Sequence, residues 1–343
     1  MNQFVIVCDG TYCYCQKSSN NKVQRKTYSC QKKRHLVKIF VICTSDGYIV
    51  DILGPYAASD NDATILRDII HKENSIKEML LKEDILLLDR GFRDVALELK
   101  QKYNLNPKLP TCVPPERKQL TTREANESRF VTKCRWVIEV INSYFSQSYN
   151  ALKNVRNKML PHIMKDYKIA GSLINKFHRR LFSDGDNQIQ IALKMKSLLN
   201  HQNHLDSETQ NLKIKSQLFE KIDANDQLPD FPKILDLNQI KNNITLGSYQ
   251  IKQCHGYIAE HKSVDGSYLI FANKQTFLTK NNNKLIAVEI QSRHSNNTKY
   301  KLFVEYTDID SVDAIKGKNN LFFIFISLLK VYLFINNISY HIF

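Results

Sequence analysis

Three acidic residues and one basic run carry the chemistry that this sequence offers. Asp9 follows the apolar run QFVIV (Gln3 to Val7), Asp89 follows ILLL (Ile85 to Leu88), and Glu139 falls inside a long stretch of helical periodicity. The separations are 89 − 9 = 80 and 139 − 89 = 50 residues. Carboxylates gathered from distant segments suit hard divalent cations, which take oxygen ligands and keep water or phosphate in their other positions. Two such ions about 3.5–4 Å apart can activate an attacking oxygen and stabilise a leaving one. Each residue also has a plainer reading. Asp9-Gly10 and Asp89-Arg90-Gly91 are turn sequences in their own right. Glu139 has Arg135 four residues before it, a ready ion-pair partner on one helix face.

The elements that must position these residues follow from the apolar periodicity. Gln3 to Val7, Lys38 to Cys43 and Tyr48 to Leu53 read as strands, the last two flanking an Asp46-Gly47 hairpin signal. The first of them delivers Asp9 at its end. Asp62 to His71 reads as a helix with Ile65, Leu66 and Ile69 inward, Ile85 to Leu88 as a strand ending at Asp89, and Asp94 to Tyr103 as a helix. Lys108 to Val113 is a candidate strand closed by Pro114-Pro115. Thr121 and Glu124 form a capping-box sequence that starts a long helix with Phe130, Cys134, Val137, Ile138, Ile141, Tyr144 and Phe145 at helical spacing. Trp136 lies on it as a core anchor. The order is strand–strand–strand–helix–strand–helix–strand–helix, a mixed α/β pattern.

Lys- and Asn-rich helical sequence then runs from about Ala151 to Asp236. From Gly247 the pattern turns strand-like. Gly256 to Glu260 and Tyr268 to Ala272 flank Asp265-Gly266, and Lys284 to Gln291 and Lys299 to Tyr306 flank a polar turn. A small sheet of about four strands results.

The formal net charge of 343 residues is +15, from 49 Lys and Arg against 34 Asp and Glu, which favours a polyanionic partner. The densest basic segment runs from Lys22 to Lys38. It holds Lys22, Arg25, Lys26, Lys32, Lys33, Arg34 and Lys38, with Tyr28 and His35 between them. Such a run suits phosphate contacts, or is a solvated loop. Arg129, Lys133 and Arg135 on the long helix either hold a phosphate backbone or pair with acids. The eight cysteines show no CxxC pair and no disulfide ladder, and no signal peptide opens the chain, so they read as reduced thiols. His201, His204, His255 and His261 stand at no metal-ligand spacing. The final segment, Lys318 to Phe343, has an apolar run of 15 residues with Lys330 inside it, short of the roughly 20 that a spanning helix needs. We expect no membrane association and read this tail as a candidate gene-model artefact.

Several motifs together resemble the DDE superfamily endonucleases of the PIF/Harbinger type. They are Cys8-Asp9-Gly10-Thr11, QRKTYSCQKKRHLVK from Gln24 to Lys38, DGYIVDILGPY from Asp46 to Tyr56 and NDATIL from Asn61 to Leu66. The most specific are LLLDRGFRD from Leu86 to Asp94 and EANESRFVTKCRWVIE from Glu124 to Glu139. The resemblance implies an RNase H-like mixed sheet flanked by helices over residues 1–150. A helical extension (151–245), a small C-terminal β-rich domain (246–317) and the tail (318–343) complete the expected organisation. It further implies two Mg²⁺ or Mn²⁺ ions, the catalytic set Asp9, Asp89 and Glu139, and cleavage of DNA in the nucleus. Asp62 matches a further acidic position and is held as a supporting metal residue, while its place suits capping of the next helix. Relatives carry an end-recognition domain ahead of the first Asp or borrow a Myb-like partner, and continue into a Cys/His zinc motif. Neither the end-recognition domain nor the zinc motif is expected here, which leaves a Myb-like DNA-binding partner as a candidate. The oligomeric state stays open between monomer and homo-oligomer. The rival expectation is a transposase-derived DNA-binding or interaction protein without catalysis.

Overall fold

The computed structural model describes residues 3–117, 120–182, 187–199 and 205–209, and then shorter stretches that include 218–222, 270–273, 283–291, 299–306 and 315–317. Contacts divide the chain into two compact units, one of Met1–Lys118 with Glu127–Phe182, the other of Gln119–Asn126 with Ser183–Phe343.

In chain order the first unit holds β1 (Val5–Cys15), α1 (Asn21–Thr27), β2 (Tyr28–Ser29), β3 (Arg34–Thr44), β4 (Ile49–Tyr56), α2 (Asp62–Lys72) and α3 (Asn74–Met79). There follow β5 (Ile85–Leu87), α4 (Arg93–Tyr103), β6 (Asn106–Lys108), α5 (Thr122–Ser148, belonging to this unit from Glu127 on), β7 (Asn154–Val155) and α6 (Ile163–Phe177). The strand order is β2-β3-β1-β5-β6, with β4 beside β3 and β7 beside β1. β1 runs antiparallel to β3 and parallel to β5. This is the expected mixed, RNase H-like sheet flanked by helices.

Alternation along the strands builds two cores, one on each face. Val7, Val41 and Leu87 pack with Val137, Ile138, Ile141 and Phe145 of α5 and with Tyr167 and Ile174 of α6. Ile6, Cys8, Phe40, Ile42 and Leu86 pack with Ile65, Leu66 and Ile69 of α2 and with Val95 and Leu99 of α4. β3 reads as a near-continuous apolar run because it is covered on both faces. Asn175 of α6 ties that helix to the sheet. Its Oδ1 accepts from Ile49 N at 2.8 Å, and its Nδ2 donates to Ile49 O at 2.9 Å. Gly171 lets α6 lie this close, since a Cβ there would stand 2.6 Å from Ile52 Cδ1.

The structure corrects several boundaries. β1 continues to Cys15, so Asp9 sits within the strand and not at its end. β3 pairs with it from Thr44 opposite Ile6 to Leu36 opposite Tyr14 and holds it extended. The strand after α4 is Asn106–Lys108, where Leu86 pairs with Pro107, and not Lys108 to Val113. The basic segment contains the helix α1, capped by Asn20, whose side chain accepts from Lys22 N and Val23 N. The capping box of α5 forms as expected: Thr121 N donates to Glu124 Oε2 at 2.8 Å, and Glu124 N to Thr121 Oγ1 at 3.3 Å.

The second unit contains α7 (Gln188–Leu198), α8 (Leu205–Thr209), β8 (Phe219–Lys221), β9 (Ile270–Asn273), β10 (Lys284–Gln291), β11 (Lys299–Tyr306) and β12 (Ile315–Gly317). Its antiparallel sheet has five strands in the order β12-β11-β10-β9-β8. β8 comes from the stretch read as helical, because three residues carry too little periodicity to register. The strand at Gly256 to Glu260, the Asp265-Gly266 turn, His201, His204, His255, His261 and the 318–343 tail lie outside the described residues. Among the described residues, seven cysteines are free and no helix is long and apolar enough to cross a membrane.

Candidate active site

The parallel pairing of β1 with β5 brings two of the three acids together. Val5 stands opposite Ile85, Ile6 opposite Leu86 and Val7 opposite Leu87, a constant offset of 85 − 5 = 80 residues. Asp9 and Asp89 share that offset. Both lie two residues past the last pair, on the face that carries Val7 and Leu87 and looks toward α5. Asp89 also starts a turn. Its Oδ1 accepts from Arg90 N at 2.7 Å, opening a 3-10 turn that buries Phe92 against Phe40. The turn reading of Asp89 therefore holds.

α5 lays a polar stripe over this pair. Arg135 Nη1 lies 3.4 Å from Asp89 Oδ1, and Asn142 Nδ2 lies 3.4 Å from Asp9 Oδ2. Residues 135, 139 and 142 recur at helical spacing, so Glu139 lies between the two contacts along the helix. Glu139 is exposed and, among the described residues, makes no ion pair. Arg135 thus serves Asp89 and not Glu139, contrary to the plainer reading of its spacing.

Asp62 approaches from the α2 side. It is the first residue of that helix, and Asn61 is the cap, accepting from Thr64 N at 2.7 Å. Asp62 Oδ1 pairs with Lys38 Nζ at 3.1 Å, and the same ammonium donates to Asp60 O at 2.6 Å. The glycines after the two aspartates make room for this carboxylate. A Cβ on Gly10 would stand 3.1 Å from Asp62 Oδ1, and one on Gly91 3.6 Å from Oδ2. Gly10 is therefore a close-approach glycine inside a strand and not a turn residue.

The electrostatics follow from this crowding. Burial pushes the Asp9 carboxyl up to about 7, and the charges of Asp62 and Asp89 add to the rise. Arg135 and the Gly10 N–H oppose it without cancelling it. The Tyr12 hydroxyl is also raised, by burial and then by Asp62 and Asp9, so it too feels the acidic notch.

The basic residues divide into two groups. Lys22, Arg25 and Lys26 on α1 and Lys32, Lys33 and Arg34 beside β2 and β3 are exposed. Lys32 lies over the Tyr12 ring at 5.2 Å and Arg34 over the Tyr14 ring at 4.2 Å. His35 and Lys38 have internal partners instead. His35 Nδ1 meets Thr27 Oγ1 at 3.1 Å, and Lys38 is the buried partner of Asp62. On α5, Arg129 is buried, and burial pushes its guanidinium down to about 10.

Among the described residues, no three His, Cys, Asp or Glu side chains stand close enough to hold one metal ion together. The donor set nevertheless fits a hard cation in its chemistry. Asp9 and Asp89 are carboxylates close enough for the charge of one to act on the other, Asp9 is short of positive charge, and Asn142 Oδ1 is a buried acceptor without a hydrogen-bond partner among the described residues. The sequence had not singled out Asn142, Tyr12 or Tyr14. The 135/139/142 spacing and the alternation in TYCYC after Asp9 were the available signals.

Residues 8–175 match the DDE superfamily endonuclease family. The match takes in Asp9, Asp62, Asp89, Glu139 and the basic segment, and covers 168 of 343 residues, just under half of the chain. No curated protein and no solved structure matches the chain. The match supports a place in the DDE superfamily for the first unit, and with it a transposase-type nuclease acting on DNA.

Proposed function

We propose that this DDE-type chain is a divalent-metal-dependent DNA endonuclease that cuts phosphodiester bonds with Asp9, Asp89 and Glu139. The observation that carries the reading is the β1–β5 pairing, which leaves Asp9 and Asp89 each two residues past its last pair, where a half-buried Asp9 is crowded by like charges and Arg135 offsets only part of them. Asp9 and Asp89 would hold Mg²⁺ or Mn²⁺, two ions in the full site, and Glu139 on α5 would complete the set. A bound ion supplies Lewis acidity and lowers the pKa of a coordinated water. Asn142 orients the Asp9 carboxylate through its Nδ2, and Lys38 fixes Asp62 as a supporting acid behind it.

In the reaction, a water oxygen bonds to phosphorus, the bond from phosphorus to the 3′ oxygen breaks, and a 3′-hydroxyl and a 5′-phosphate remain. The freed 3′-hydroxyl is then the nucleophile for strand transfer in the same site. Lys22, Arg25, Lys26, Lys32, Lys33 and Arg34 form the phosphate-contacting surface, with Lys32 and Arg34 held against Tyr12 and Tyr14. The PIF/Harbinger subtype, a Myb-like partner that supplies end recognition, and action in the nucleus belong to the same proposal. The test is nicking of a supercoiled plasmid. Nicking that requires Mg²⁺ or Mn²⁺ and is lost in Asp89→Asn supports the reading. Salt-sensitive DNA binding without nicking refutes it in favour of a non-catalytic DNA-binding protein.

A further inference from the structure

The acidic pair already has a cation, and it belongs to the protein. The Arg135 side chain is 9% exposed, and its Nη1 stands 3.4 Å from Asp89 Oδ1. It is also the largest favourable charge acting on Asp9. Its Nε is buried and has no hydrogen-bond partner among the described residues. Both contacts from α5, 3.4 Å for Arg135 and 3.4 Å for Asn142, are at the long end of the hydrogen-bond range. A guanidinium built for a permanent buried ion pair engages its planar fork in paired, shorter bonds. Here one nitrogen serves a carboxylate loosely while another is left unused.

We propose that Arg135 is a built-in counter-ion for Asp89 and Asp9 that a divalent cation must displace, so that it sets how tightly the site takes its metal. The proposal rests on the reading of Asp9 and Asp89 as metal carboxylates. In the metal-free chain the guanidinium limits the repulsion that would otherwise part β1 from the end of β5. When a divalent ion enters, the two positive charges compete for the same oxygens, and the arginine gives way. Arg135 is in this sense a positioning residue: it keeps the acids assembled while the site waits and makes the metal affinity moderate.

The sign of one measurement separates this role from simple structural support. Mn²⁺ binding to the full chain is followed by calorimetry without DNA, in wild type, Arg135→Gln and Arg135→Lys. Loss of a competing charge should tighten Mn²⁺ in Arg135→Gln by about fivefold or more, the low end of the coupling measured between interacting binding events. The same variant should melt earlier than wild type in EDTA and show a larger melting rise on adding Mn²⁺. Arg135→Lys keeps the charge and should bind Mn²⁺ near the wild-type level. Equal or weaker Mn²⁺ binding by Arg135→Gln overturns the proposal, because a merely structural arginine predicts that direction. Wild-type chain provides a check that needs no variant. Phenylglyoxal labelling of Arg135, read by peptide mass mapping, should rise when Mn²⁺ is added, and unchanged or reduced labelling overturns the proposal. If neither wild type nor Arg135→Gln binds Mn²⁺, the metal reading falls and this inference falls with it. If wild type binds and Arg135→Gln binds no tighter, only the inference falls.

Discussion

Replacing Asp9 by Asn should stabilise the metal-free chain at neutral and higher pH while abolishing metal-dependent cutting. In the folded metal-free chain Asp9 keeps its proton up to about pH 7, whereas the ordinary value is 3.8. Between these values the native state binds more protons than the unfolded state, so stability falls as pH rises through that window. The shift is about 3 units, and each unit corresponds to about 1.4 kcal/mol, so the ionised carboxylate costs up to about 4 kcal/mol. Partial access to water reduces this, and at least about 2 kcal/mol should remain. Asn has the same shape and no charge, and it can still accept from Asn142 Nδ2. The assay is urea unfolding in EDTA at about pH 4 and about pH 8. Asp9→Asn should lie within about 1 kcal/mol of wild type near pH 4, where Asp9 is protonated in the folded chain and about half protonated in the unfolded one, and exceed it by at least about 2 kcal/mol near pH 8. A variant no more stable than wild type near pH 8, or a gap that does not grow with pH, would refute the account of a half-buried, charge-crowded carboxylate.

Further outcomes follow from other parts of the structure. Replacing Lys32, Lys33 and Arg34 together by Ala should weaken DNA binding and flatten the plot of log affinity against log salt by about 2–3, close to one unit per lost phosphate contact; an unchanged slope in fluorescence anisotropy would contradict the contact surface. Gly171→Ala would push a Cβ to 2.6 Å from Ile52 Cδ1, so it should cost about 1–3 kcal/mol in urea unfolding. Thr121→Ala removes one half of the capping box of α5 and should cost about 1 kcal/mol, read in the same way.

The sheet was legible because its strands carry strong local signals. The Asp46-Gly47 hairpin, the apolar run of β3 and the ILLL run before Asp89 each encode one element, and the 80-residue offset of Asp9 and Asp89 is the very offset of the β1–β5 pairing. Two features were less legible because they depend on long-range packing. The length of β1 is set by its partner β3, and TYCYC has no apolar run of its own to announce a strand. Asp9-Gly10 looked like a turn because a glycine needed for space and one needed for a positive φ read alike in sequence; only the carboxylate of Asp62 behind Gly10 separates them. Arg135 illustrates the same limit. Helical spacing offered Glu139 as its partner, but the nearer acid is Asp89, brought in by a strand 46 residues away. The cap of α2 was misplaced by one residue, since Asn61 and Asp62 are both good capping types and the side-chain bond to Thr64 decides between them.

In the proposed function Glu139, exposed on α5, completes a carboxylate set with Asp9 and Asp89. Plasmid nicking in Mn²⁺ by Glu139→Gln beside wild type tests it most directly, with circular dichroism to show that α5 is intact. The account predicts that nicking falls by about a hundredfold or more, the scale of losing a group that acts on the developing charge. Nicking by Glu139→Gln at the wild-type rate would contradict it and would remove Glu139 from the site.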